Sequence, residues 1–65
     1  MCLSTVYLEK NGTPEIVMQD VSRMVAKDDG LLLTGMFGEE KFIHGRFKSM
    51  DFLDGESLII GQDRK

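Results

Sequence analysis

Cys2 is the only cysteine among 65 residues, and it stands one peptide bond from the amine of Met1. That amine, the Cys2 amide nitrogen and the Cys2 thiolate can close two fused five-membered chelate rings around one metal ion. If Met1 is removed, the new amine and the thiolate still close one such ring. Amine or amide nitrogen beside thiolate sulfur in one plane suits nickel(II) or copper(II). The competing reading makes Cys2 a small hydrophobe at the start of an edge strand. Free cysteines are commonly buried and inert, so composition alone favours that second reading.

The remaining reactive residues offer less. His44 is the only histidine, and alternation places it on the same strand face as Phe42, near a strand end or cleft. Its ordinary role there is a surface or half-buried histidine. One histidine without a nucleophile and shaped pocket around it makes no serine–histidine–acid arrangement, so an enzyme is not expected. A pairing of Cys2 with His44 has nothing to recommend it beyond the presence of both. Glu39-Glu40 and Asp28-Asp29 are acid pairs at turns without calcium-loop spacing. Asp51 and Asp54 read as strand and turn residues. The glycines are single and tied to turns, so no phosphate-cradling loop is present. Tyr7 and the phenylalanines could stack on bases, but in so small a domain they read better as core.

These groups must be positioned by one small domain, residues 1–65. A chain of this size buries only about 60% of its unfolded surface and needs a staple. One cysteine excludes an internal disulfide, and Cys2 with His44 cannot complete the four ligands of a structural zinc. A two-fold homodimer is the staple left. The net charge is −3 and the isoelectric point about 4.9. The eight Lys and Arg residues are dispersed, which argues against nucleic-acid binding. No apolar run approaches the roughly 20 residues of a membrane span. The sequence shows no export signal, and an unpaired thiol fits the reducing cytoplasm.

The chain reads as strands and turns. Thr5 to Lys10 is a strand with good β-formers at Val6, Tyr7 and Leu8. Asn11-Gly12-Thr13-Pro14 turns it into Glu15 to Gln19, a first hairpin. Asp20 to Ala26 favours strand through Val21 and Val25. Lys27 to Gly30 is a turn, and Leu31 to Thr34 a short apolar strand. Gly35 to Glu40 is ambiguous. Lys41 to Ile43 and Gly45 to Leu53 follow as strand, with a bulge or bend at Gly45. Asp54-Gly55 is a type I′ turn signal, Ser57 to Ile60 the last strand, and Gln62 to Lys65 a polar tail. About six short strands at this spacing predict an all-β fold, a small antiparallel barrel of the Sm-like or Src-homology-3-like kind. Ile16-Val17-Met18 and Leu31-Leu32-Leu33 are apolar on both faces. One face fills the interior; the other asks for a covering partner, which again predicts a homodimer.

Three stretches together resemble the CooT family of small nickel-binding proteins: Met1-Cys2-Leu3-Ser4-Thr5-Val6-Tyr7, Phe37-Gly38-Glu39-Glu40-Lys41, and Met50-Asp51-Phe52-Leu53-Asp54. The resemblance covers nearly the whole chain. It implies a cytoplasmic dimer of small β-barrels associated with maturation of the nickel site of carbon monoxide dehydrogenase. It further implies nickel(II) as cargo, bound through the cysteine beside the chain start, here Cys2 with Met1. With it, the ligand reading of Cys2 becomes the better one, and a nickel-enzyme client is expected. An RNA-binding small barrel and a metal-free interaction module that adds a partner strand to a sheet edge are the alternatives. The acidic balance opposes the first.

Overall fold

The computed structural model describes residues 3–53 and 56–61. Six strands form one sheet: β1 (Ser4–Lys10), β2 (Thr13–Lys27), β3 (Gly30–Gly35), β4 (Glu40–His44), β5 (Arg46–Asp51) and β6 (Glu56–Gly61). Their spatial order is β4-β3-β2-β1-β6-β5. No helix occurs among the described residues, and none is long and apolar enough to cross a membrane. The turns expected at Asn11-Gly12 and at Lys27 to Gly30 are present. Asn11 and Gly12 take φ of 54° and 81°, the paired positive values of a two-residue hairpin turn. The turn expected at Asp54-Gly55, the residues Met1 and Cys2, and the tail from Gln62 lie outside the described residues.

The two strands expected on either side of Gln19-Asp20 are one long strand with a bend. The first part of β2 pairs with β1, through Met18↔Val6 and Ile16↔Tyr7, and its second part pairs with β3, from Val21↔Gly35 to Lys27↔Gly30. The first ladder shifts twice, at Val17 and again where Gln19 and Asp20 stand opposite Thr5, and the second skips Ser22. Each extra residue is a bulge that bends the strand and raises its twist. Asp20 takes φ of 56°, a left-handed value that Asp accepts more readily than β-branched residues do. Lys41 Nζ reaches from β4 to donate to the Val17 carbonyl oxygen at 3.0 Å. The lysine thereby covers part of the edge that β3 leaves unpaired, a usual way to discourage strand addition.

Two expectations are corrected. The sheet is not wholly antiparallel, because β1 and β6 run parallel from Ser4↔Glu56 to Glu9↔Gly61. The chain travels through β3, β4 and β5 to the far side of β1 before β6 returns, and that return path fixes its direction. Nor is the sheet a closed barrel. Its two edge strands, β4 and β5, are consecutive in the chain through Gly45 alone, and no ladder joins them among the described residues. One residue cannot make the reversal that a hairpin needs, so β5 departs from β4 instead of pairing with it. Gly45 adopts φ of 154°, and a Cβ there would lie 2.6 Å from the Gly61 carbonyl oxygen.

The curl of the sheet encloses a core of Val6, Val21, Leu31, Leu33, Ile43, Leu58 and Ile60. Period-two alternation put Leu31 and Leu33 inside and left Leu32 on the outer face. Seven buried hydrophobic side chains among the described residues are a small core, as the chain length requires.

Candidate functional site

The geometry that matters begins with one row across the sheet. Ser4, the first residue of β1, is in register with Val21, and Val21 is in register with Gly35, the last residue of β3. On the other side Ser4 pairs with Glu56, and the next row runs Thr5↔Ser57↔Asp51. The start of β1, the β3–β4 turn and the end of β5 therefore share one end of the sheet. The readings placed on Met1 and Cys2 fall outside the described residues. Cys2 precedes Leu3, the first described residue, directly in sequence.

Two braced turns stand at this end. In the first, Gly35 N–H donates to the Glu39 carbonyl at 2.8 Å, and Gly38 N–H donates to the Gly35 carbonyl at 3.1 Å. Met36 N–H donates to the Asp20 carbonyl at 3.0 Å, and Phe37 N–H to Glu39 Oε1 at 3.1 Å. Gly38 sits at φ of 88°, where a side chain would be strained. These bonds hold Phe37 outward with 85% of its surface exposed. In the second, Leu53 N–H donates to Asp51 Oδ1 at 2.9 Å, an Asx turn that presents Leu53 at 88% exposure beside exposed Phe52.

These exposed groups were missed on the sequence. The phenylalanines read as core, yet Phe37, Phe42, Phe47 and Phe52 are all exposed. The aliphatic residues of β1, β2, β3, β4 and β6 fill the small interior, and the four rings stand outside it. The sequence signal was available: Phe37 stands next to Gly38, and Phe52-Leu53 next to Asp54-Gly55, both at turns where side chains point away from a sheet.

His44 lies at the other end. It ends β4 and pairs with Gly30, the first residue of β3, whereas Gly35 is the last. About 17 Å of strand therefore separates the two rows, five steps of about 3.3 Å. Its ring is 74% exposed, with Nδ1 3.9 Å from Asp29 Oδ2, and it meets Phe42 edge-on at a centroid distance of 4.9 Å. Glu40 begins β4 at its opposite end, and Glu39 lies in the turn just before it. The structure thus does not bring His44 to Glu39, Glu40 or the row of Ser4. Among the described residues, no three His, Cys, Asp or Glu side chains are grouped to hold a metal ion.

A family model for the CO dehydrogenase accessory protein CooT matches residues 1–60. A crystal structure of a CooT candidate from Carboxydothermus hydrogenoformans superimposes with a TM-score of 0.83 at 21% identity, covering 97% of this chain and 100% of that one. At that identity the likeness speaks for the fold. No curated protein matches the chain.

Proposed function

We propose that this chain, which belongs to the CooT family of CO dehydrogenase accessory proteins, binds nickel(II) through Cys2 and the adjoining amine or amide nitrogen and delivers it to a nickel enzyme. The observation that carries the reading is the family match from residue 1 to residue 60, which includes the only thiol of the chain. The chemistry agrees. Nickel(II) favours in-plane nitrogen and thiolate donors, and a homodimer that brings two chain starts to one axis offers two thiolates and two nitrogens. Its role is non-catalytic and its setting cytoplasmic, where a free thiol stays reduced.

Braced, exposed apolar turns at the end where β1 starts support a role in handing metal to another protein. Such turns present Phe37 and Leu53 to a partner without first having to become ordered. The same turns favour, as a second reading, an interaction module that uses no metal. Titration of the purified protein with nickel(II) separates the two. The nickel reading requires saturable binding with a thiolate-to-nickel charge-transfer band that is lost in Cys2→Ser. Absence of binding leaves the interaction module.

A further inference from the structure

The two braced turns are placed evenly about the start of β1. In the order β4-β3-β2-β1-β6-β5, β1 lies two strands from β3 and two strands from β5. Phe37 follows the end of β3 and Leu53 the end of β5. Each turn therefore stands about two strand spacings, roughly 10 Å along the sheet, to one side of the row that holds Ser4. A partner surface that touches both turns must pass over the start of β1.

The same end is acidic. Asp20, Glu39, Glu40 and Asp51 all lie there, and all are exposed. No Lys, Arg or His stands among residues 3–5, 19–22, 34–40 and 50–53. Four negative charges thus gather at one end of a chain whose net charge is −3. None of the four has an ion-pair partner among the described residues. Glu39 and Asp51 brace the turns by accepting backbone N–H groups, contacts that bring no cation to them.

We propose that this end docks a basic surface of the protein that receives the metal, with Phe37 and Leu53 as apolar anchors and the four carboxylates as the rim. The proposal rests on the metal-delivery reading above and adds the partner's chemistry: exposed Lys and Arg around apolar recesses. Charge selects that occupant. A rim of one sign steers a partner of the opposite sign and rejects one of its own, so a second copy set end to end would place acid against acid. Copies set side by side, with their chain starts adjoining, turn both acidic ends the same way and leave them open. The docking surface is therefore compatible with a shared nickel site. A partner that spans both turns brings its own ligands over the start of β1, where an ion can pass without release to water.

Nickel-free carbon monoxide dehydrogenase is the probe, immobilised for biolayer interferometry with the full chain in solution. Wild type should bind saturably, and more slowly and weakly as salt is raised. The triple variant Asp20→Asn, Glu40→Gln, Asp51→Asn removes charge while keeping side-chain shape. Its dissociation constant should rise by about tenfold, with a flatter salt dependence. Phe37→Ala and Leu53→Ala should each weaken binding by about threefold or more. A matched triple at the other end of the sheet, Glu15→Gln, Asp28→Asn, Asp29→Asn, should stay within about twofold of wild type. Circular dichroism confirms each fold. Equal effects from the two triples, or no effect from the first or from Phe37→Ala, overturn the docking surface. So does a wild type that fails to bind the enzyme. Variants that bind it normally but lose self-association in sedimentation would assign the turns to contact between copies and overturn it too. Nickel titration of wild type without the enzyme reads the Cys2 site alone, so failure of the metal reading is told apart from failure of this surface.

Discussion

Ser4 and Gly35 occupy one row of the sheet, held in register from opposite sides of Val21. That relationship joins the start of β1 to the turn that displays Met36 and Phe37, and it puts His44 at the far end of β3. It separates the one histidine of the chain from the start of β1. It also predicts different fates for apolar residues that look alike in sequence.

Leu33 is fully buried, whereas Phe37 is almost wholly exposed. Leu33→Ala should cost about 2–5 kcal/mol through lost transfer energy and an unfilled cavity. Phe37→Ala should change stability by less than about 0.5 kcal/mol, as surface substitutions usually do. Urea denaturation followed by circular dichroism measures both. Equal losses would contradict the placement of the core.

Asp20 is the second structural test. Its φ of 56° falls in the irregular stretch where β2 passes from the β1 ladder to the β3 ladder. Asp20→Asn or Asp20→Gly should be tolerated, because both residues accept the left-handed region. Asp20→Val should cost about 1–3 kcal/mol, since β-branched residues resist it. A valine variant as stable as the glycine variant would show that the bend does not depend on this angle.

Strand-forming residues between turn signals made most of this fold legible. They identified the strands at Thr5 to Lys10 and Leu31 to Thr34, but not which side chains of Leu31-Leu32-Leu33 turn inward. The Asn11-Gly12 turn was readable because both residues accept positive φ. The joining of Glu15 to Gln19 with Asp20 to Ala26 was not, because a bulge at an aspartate looks like a turn. The parallel pairing of β1 with β6 and the gap between β4 and β5 are set by how the chain travels after Gly45, which local sequence does not encode. The exposed phenylalanines were misread because hydrophobicity was counted without asking how much volume seven aliphatic side chains leave. Cys2 was legible as a donor from its chemistry and from the family motif, while the apolar turns at the end where β1 begins emerged only from the register.

Nickel stoichiometry follows from the shared site. Two chain starts that supply two thiolates and two nitrogens should bind one ion per two chains. Binding displaces protons from thiol and amine, so affinity should fall steeply as the pH is lowered. Calorimetry at several pH values in buffers of different ionisation enthalpy measures both the stoichiometry and the protons released. One ion per monomer, or binding independent of pH, would contradict the shared thiolate site.

The bound ion should have a recognisable electronic state. In-plane nitrogen and thiolate donors make nickel(II) square-planar and diamagnetic. The loaded protein should show weak visible bands, a near-ultraviolet charge-transfer band and proton resonances in their ordinary range. A site built from carboxylates, His44 and water would be six-coordinate and paramagnetic, and large proton shifts would reveal it. Acetylation of the terminal amine should weaken binding, and undiminished affinity would exclude that nitrogen.

The most direct measurement is nickel(II) titration calorimetry on wild type, Cys2→Ser and His44→Ala, with circular dichroism confirming that all three are folded. Cys2→Ser should lose tight binding while its fold persists, and His44→Ala should bind nearly as wild type does. Unchanged affinity in Cys2→Ser would contradict the central claim, and a comparable loss in His44→Ala would move the site to the other end of the sheet.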